Sequence, residues 1–228
     1  MGNGAGVVVG IRQSDHGKRR ARTDLHIERV YRRAAPRYDR GIRVVSKLLG
    51  FDAARMWACS EAHGNVLEIG IGTGLNLPLY PSDAHITAVD VSSEMLELAR
   101  QRAAGLDRRV ELHHADGARL PFADSAFDVV VATLVLCTTP DPVATVAEAW
   151  RVCRPDGELR FFDHGLSRSR IVRRLERALE PLAVRLQADR LTLDPASVFR
   201  AAGVPIHEVI RARAGVCWQI QARRTPSP

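Results

Sequence analysis

The stretch 65–74, Asn-Val-Leu-Glu-Ile-Gly-Ile-Gly-Thr-Gly, constrains this 228-residue chain more than any other. Its short apolar run, Val66, Leu67 and Ile69, has the pattern of a buried parallel strand. The run ends at three glycines spaced two apart, Gly70, Gly72 and Gly74. Lacking a Cβ, they let the backbone turn tightly and let a ligand lie directly against it. Sixteen residues past Gly74 a second apolar run, Ile86 to Val89, ends in Asp90. An acid at such a strand end suits the vicinal hydroxyls of a ribose. The two strand ends together point to a ligand that contains a nucleoside. A dinucleotide would need a further glycine three places after the second one, to bring its pyrophosphate against a helix N-terminus. Counted from Gly72 that place is Leu75, so the dinucleotide form is excluded.

From residue 65 onward strand and helix patterns alternate. Strands are expected at 65–69, 85–90, 109–115, 127–133 and 157–163, with helices at about 75–80, 93–104 and 141–152. Ser92 or Ser93 ahead of Glu94 caps one helix, and Asp141-Pro142 opens another. Such alternation builds a parallel sheet wound on both faces, an α/β fold. Ahead of it, 25–60 carries helical spacing interrupted by Pro36 and Gly41, read as a helical lid. Residues 1–24 are polar, glycine-containing and basic, and are read as a disordered tail. The remainder, 61–228, is one domain with a substrate-side insertion at about 166–200. Within the insertion, 168–190 is a basic amphipathic pattern with Ile171, Val172, Leu175, Ala178, Leu179 and Leu182 on one stripe. Pro181 is expected to kink or end its first part. The stripe is expected to pack on the sheet or cover a pocket, with peripheral contact to a membrane as the alternative. Asp194-Pro195 opens a short helix closed by Gly203, and runs at 205–212 and 216–222 form a final hairpin.

The net charge of +7 conceals an uneven distribution. Residues 1–47 hold 12 basic and 4 acidic side chains, 48–150 hold 6 and 14, and 151–228 hold 15 and 8. Basic ends could meet nucleic acid or an anionic membrane. Yet the basic residues are arginine apart from Lys18 and Lys47, and no aromatics are interleaved as a single-strand platform requires. Nucleic acid is therefore not the expected partner. Cys59, Cys137, Cys153 and Cys217 lie far apart, which argues against a zinc motif or a disulfide framework and fits a reducing compartment. The apolar stretch from Gly6 to Ile11 is too short to span a bilayer, so a cytoplasmic location is expected.

Further blocks complete a family pattern. Asp90 is followed by Ser92-Ser93-Glu94-Met95-Leu96. Then come Ala115-Asp116-Gly117-Ala118-Arg119-Leu120-Pro121-Phe122, Phe127-Asp128-Val129-Val130 and Arg151-Val152-Cys153-Arg154-Pro155-Asp156-Gly157-Glu158. With Glu68 to Gly74, these resemble the methyltransferase 11 group of class I S-adenosylmethionine-dependent methyltransferases, Asp156 standing where that group has glycine. The resemblance implies a Rossmann-like domain with a seven-stranded, mostly parallel sheet and a C-terminal antiparallel hairpin. It implies S-adenosylmethionine as cofactor and S-adenosylhomocysteine as product. Onto this chain it carries Tyr38, Glu68, Gly70, Gly72, Gly74, Asp90, Val91, Met95, Asp116, Gly117 and Leu134 as cofactor-binding residues.

The acceptor is expected to be a small molecule, and two finer resemblances bear on it. The block Ala132 to Pro142 is similar to that of alkyl-thiol S-methyltransferases. The segment Tyr31 to Asp39 resembles bacterial phosphatidylethanolamine N-methyltransferases and quinone C-methyltransferases. S-methylation of a small thiol is the leading expectation on the block Thr133 to Pro142, and a thiol of pKa about 8.5, already a few per cent ionised at neutral pH, needs little help from a base. N-methylation of phosphatidylethanolamine or methylation of a quinone-like metabolite is the enzymatic alternative, and a non-catalytic cofactor-binding regulator is the alternative of another class. His164, at the carboxyl end of the expected fifth strand, is the candidate general base, with Asp163 to orient it. No metal ligand set is read from the sequence.

Overall fold

The computed structural model describes residues 39, 42, 46, 49–187 and 189–223. Tyr31 and Tyr38, the tail at 1–24 and most of the lid lie outside the described residues. Seven strands form one sheet: β1 Asn65–Ile69, β2 His85–Asp90, β3 Val110–His114, β4 Phe127–Thr133, β5 Cys153–His164, β6 Ile206–Ala212 and β7 Cys217–Arg223. The helices are α1 Phe51–Cys59, α2 Ser93–Gly105, α3 Pro142–Val152, α4 Arg170–Gln187 and α5 Pro195–Ala201. Strand order is β3-β2-β1-β4-β5-β7-β6. The first five pair in parallel, and β7 runs antiparallel to both β5 and β6.

Period-two alternation divides the interior into two layers. Leu67, Ile69, Val130, Ala132, Leu159 and Phe161 face α3 and α5, which contribute Val146, Ala149, Val152, Val198 and Phe199. Val66, Ile86, Ala88, Val129 and Val131 face the other way, toward Ala58 and Cys59 of α1 and Leu96, Ala99 and Ala103 of α2. Ser92 caps α2 by accepting from Met95 N–H at 3.2 Å, and Asp141 caps α3 by accepting from Ala144 N–H at 3.0 Å.

The elements depart from expectation at three places. The helix expected near 75–80 is a single 3-10 turn, Leu77–Leu79, because Tyr80 precedes Pro81 and is pushed to extended geometry (ψ 146°). β5 begins at Cys153, which pairs with Phe127 across an irregular register. α4 continues through Pro181, whose ring forfeits one backbone hydrogen bond without ending the helix.

Candidate active site

The strand order reverses between β1 and β4, and in an open α/β sheet a ligand crevice forms there, beyond the carboxyl ends of the strands. A cleft of about 790 Å³, open solvent included, occupies that place. Each neighbouring strand delivers one wall: Ile69, Gly70 and Gly72 from β1, Val89 to Val91 from β2, Ala115 to Gly117 from β3, and Thr133 to Val135 from β4. Met95, Thr138, Thr139, Pro140 and Thr145 close the rest.

Backbone geometry explains the glycines. Gly70 (φ +71°) lies so close to the opposite wall that a Cβ there would come within 2.5 Å of Val135 Cγ2. Gly72 (φ +55°) faces open space, with no atom within 4 Å of a Cβ at that place. Both φ values belong to the left-handed region that only glycine enters without cost. Leu134, a non-glycine, also sits there at φ +59°, held by donating its N–H to Phe162 C=O at 2.8 Å. A strained residue on a cleft wall is where a binding surface keeps such geometry.

Asp90 joins two of the walls. Its Oδ2 accepts from Gly72 N–H at 2.8 Å and its Oδ1 from Ser92 N–H at 2.9 Å. Burial pushes its carboxyl above the ordinary value, and the backbone donors of Ser92, Gly72 and Val91 pull against that rise. On the β3 wall Asp116 Oδ1 accepts from Ala118 N–H at 2.9 Å.

Behind the glycine loop lies a network that sequence reading missed. Arg55 of α1 donates to Asn76 Oδ1 at 2.9 Å and to Thr133 Oγ1 at 3.0 Å. Asn76 Nδ2 donates to Glu68 Oε1 at 2.7 Å and to Thr133 Oγ1 at 2.9 Å. Glu68 is fully buried here rather than on the cleft wall, and burial raises its carboxyl to about 7 against the hydrogen bonds of Asn76 and Tyr80 and the charge of Arg55. Gly74 is likewise behind the wall, packed near Leu77 and Ala99. Asp39 reaches the same loop, accepting from Thr73 Oγ1 at 2.6 Å and from Arg102.

His164 and Asp163 are not part of the cleft lining. Asp163, 2% exposed, is an internal cap: Oδ2 accepts from Leu136 N–H at 2.7 Å and Cys137 N–H at 3.3 Å, and Oδ1 from His164 N–H at 2.9 Å. His164 Nε2 is 3.1 Å from Asp189 Oδ2. Burial opposes its charging, but the Asp189 hydrogen bond and the charges of Asp189, Asp163 and Glu176 prevail and raise its pKa. The pair His113 and His114 separates as alternation requires, one toward Glu111 and Phe122, the other to Val91 C=O.

Residues 67–161, from β1 to the middle of β5, match the family model described as a methyltransferase domain, the methyltransferase 11 group. The phosphatidylethanolamine N-methyltransferase of Cereibacter sphaeroides is 44% identical over 103 residues, covering 44% of this chain and 51% of that protein. The demethylmenaquinone methyltransferase of Deinococcus radiodurans is 33% identical over 141 residues, 58% of each chain. The thiol S-methyltransferase TMT1B of Mus musculus is 38% identical over 108 residues, 44% of this chain and 43% of that one. The chain thus spans about half the length of the curated relatives it matches. Among solved structures, a SAM-dependent methyltransferase from Thermotoga maritima superposes with a TM-score of 0.65 at 21% identity, covering 86% of this chain and 99% of that one. A chain of the complex between the Haloferax volcanii Trm112 methyltransferase activator and its methyltransferase gives 0.68 at 16% identity, covering 85% and 97%. These two likenesses concern the fold.

The cleft fits S-adenosylmethionine, the methyl donor expected from the sequence. Asp90 accepts from Gly72 N–H on Oδ2 and Ser92 N–H on Oδ1, and its carboxylate lines the cleft as an acceptor for ribose hydroxyls must. Gly72 leaves open space where a side chain would stand. Of the residues expected to bind the donor, Gly70, Gly72, Asp90, Val91, Met95, Asp116, Gly117 and Leu134 line the cleft together. Thr133, Val135, Thr138, Thr139, Pro140 and Thr145 were not foreseen, although a wall beyond β4 follows from the strand-order rule.

Among the described residues no helix is long and apolar enough to cross a membrane. The α4 stripe does not pack on the sheet. Ile171, Leu175, Leu179 and Leu182 are 81%, 57%, 45% and 55% exposed. It is the acids of α4 that turn inward, Glu176 accepting from Ser167 N–H at 3.1 Å and Glu180 from Thr192 N–H at 2.7 Å. These two contacts turn the acids of α4 inward and accompany an apolar face that points outward.

Proposed function

We propose that this chain transfers a methyl group from S-adenosylmethionine to a small-molecule acceptor, and that it meets this acceptor at a lipid surface. The observation that carries the first part is Asp90 bridging Gly72 and Ser92 at the edge of an open cleft. When bound, S-adenosylmethionine supplies an electrophilic methyl on a sulfonium. The residues of the chain hold and orient: Asp90 the ribose, Asp116 and Gly117 the adenine side, and Gly70, Gly72 and Leu134 the backbone wall along the methionine part. Such positioning is worth several kcal/mol of the barrier on its own.

α4 supports the second part. Its exposed apolar stripe is flanked by the exposed Arg170, Arg174, Arg177 and Arg185. That is the composition of a helix lying in the plane of a membrane interface. Each arginine near an anionic surface contributes roughly 1 kcal/mol, so four suffice for salt-sensitive docking. The acceptor this favours is a lipid amine of the phosphatidylethanolamine type, on which the Cereibacter relative is named to act. Thiol S-methylation is the second reading, favoured by the β4 wall: the stretch shared with alkyl-thiol enzymes contributes Leu134, Val135, Thr138, Thr139 and Pro140 to the cleft.

Incubation with methyl-labelled S-adenosylmethionine and mixed phosphatidylethanolamine–phosphatidylglycerol vesicles should place label in the lipid extract. Leu175→Asp together with Leu182→Asp should weaken vesicle sedimentation at least tenfold and leave cofactor affinity unchanged. Label in short alkyl thiols and none in lipid would replace the first reading by the second. Label in neither, with the cofactor bound, would favour the non-catalytic regulator.

A further inference from the structure

Beyond the cleft, three ligating side chains converge from segments far apart in sequence. Cys137 lies in the loop after β4, His164 ends β5, and Asp189 follows α4. One ligand atom of each lies within 4.8 Å of the other two. We propose that Cys137, His164 and Asp189 form a binding site for a zinc-class divalent cation, which fastens the β4 wall of the cleft to the segment beyond α4.

The donor set is that of zinc: thiolate, imidazole and carboxylate at about 2.0 to 2.3 Å from the ion, leaving one tetrahedral position open. Donors so placed stand roughly 3.3 to 3.7 Å apart, so metallation would draw in the donors that now lie up to 4.8 Å apart and part His164 and Asp189 slightly from their present 2.9–3.1 Å. The backbones that carry the ligands are already fixed. Asp163 holds Leu136 N–H and Cys137 N–H from beneath. Arg190 N–H donates to Cys137 C=O at 2.9 Å, and Arg190 Nη2 donates to Thr139 and Pro140 C=O. The Asp189 carboxylate supplies an independent sign. Its Oδ1 is buried and stands 2.9 Å from His164 Nε2, and the Cys137 thiol hydrogen-bonds to the same carboxylate. A cation bound between this carboxylate and the sulfur would take the place of the thiol proton that now bridges them. Burial together with the charges of Asp163 and Asp189 keeps the Cys137 thiol protonated. A bound divalent cation reverses that balance by displacing the proton.

Cobalt(II) serves as the probe. Titrated into chelator-treated full-length protein, it should saturate at one ion per chain, give a thiolate-to-cobalt charge-transfer band, and be displaced by zinc(II). Cys137→Ser should abolish the band, and Asp189→Asn should weaken affinity at least tenfold, whereas Cys59→Ala should change neither. Circular dichroism checks that each variant folds; if Cys137→Ser does not fold, Asp189→Asn decides. Absence of the band in the wild type, or affinity unchanged in Asp189→Asn, overturns the site. Calorimetry with S-adenosylhomocysteine on the same metal-free protein reads the donor cleft separately, so a failed cleft and a failed metal site give different results.

Discussion

Asp90 at the end of β2 and Asp163 near the end of β5 start from the same chemistry. Both are carboxylates at the carboxyl edge of the sheet whose oxygens accept backbone N–H groups: Gly72 and Ser92 for Asp90, Leu136, Cys137 and His164 for Asp163. Burial raises both above the usual carboxylate range. They differ in what lies above them. The loop over Asp90 is built on glycines and leaves the carboxylate at an open cleft. The loop over Asp163 carries Leu136 and Cys137, each 1% exposed or less, and seals it. One acid therefore faces the open cleft, while the other serves as the internal cap of the wall beside it.

Substitutions test this division. Asp163→Ala strands three backbone donors and should cost about 3 kcal/mol, lowering Tm by roughly 6–12 °C in a chain of this size. Affinity for S-adenosylhomocysteine should stay within about threefold, and a larger loss would mean that Asp163 belongs to the cleft after all. Asp90→Ala should do the reverse, weakening S-adenosylhomocysteine by about 30-fold, the equivalent of ~2 kcal/mol of lost charged hydrogen bonds. Unchanged calorimetric affinity would refute the ribose assignment. Gly72→Ala should destabilise by about 1 kcal/mol through its left-handed backbone, read as a shift in denaturant midpoint.

A pH-dependent effect concerns Glu68, a third acid, sealed behind the glycine loop. With its folded pKa near 7, above the unfolded value, its contribution is full below about pH 4.3 and is lost as pH rises through 7. Glu68→Gln should accordingly flatten the fall in Tm between about pH 5 and 8. An unaltered slope would show that this carboxyl titrates at its ordinary value.

The donor half of the cleft was legible in the sequence because local features build it. A glycine loop and an acid at a strand end are contiguous patterns, and parallel strands bring them together with little freedom. Glu68 belonged to the same motif, yet period-two alternation from Ile69 turns it to the opposite face of the sheet, where Asn76 and Arg55 take it up. His164 was placed at the right strand end, but its partner Asp189 lies 25 residues further on, beyond α4. No spacing rule predicts where such a segment returns. The α4 stripe showed that a helix is amphipathic and left its rotation undetermined. In the structure Glu176 and Glu180 turn inward to the amides of Ser167 and Thr192.

Asp39 has a consequence for salt sensitivity. It is tied to the glycine loop through the Thr73 hydroxyl and the Arg102 guanidinium, and Arg102 Nε also donates to Thr73 C=O at 2.8 Å. Asp39 and Arg102 are about one-third exposed, so dissolved ions weaken their pairing. Rising ionic strength should therefore loosen the charged arm of the tie between Asp39 and the glycine loop, while the hydrogen bond from the neutral Thr73 hydroxyl is spared.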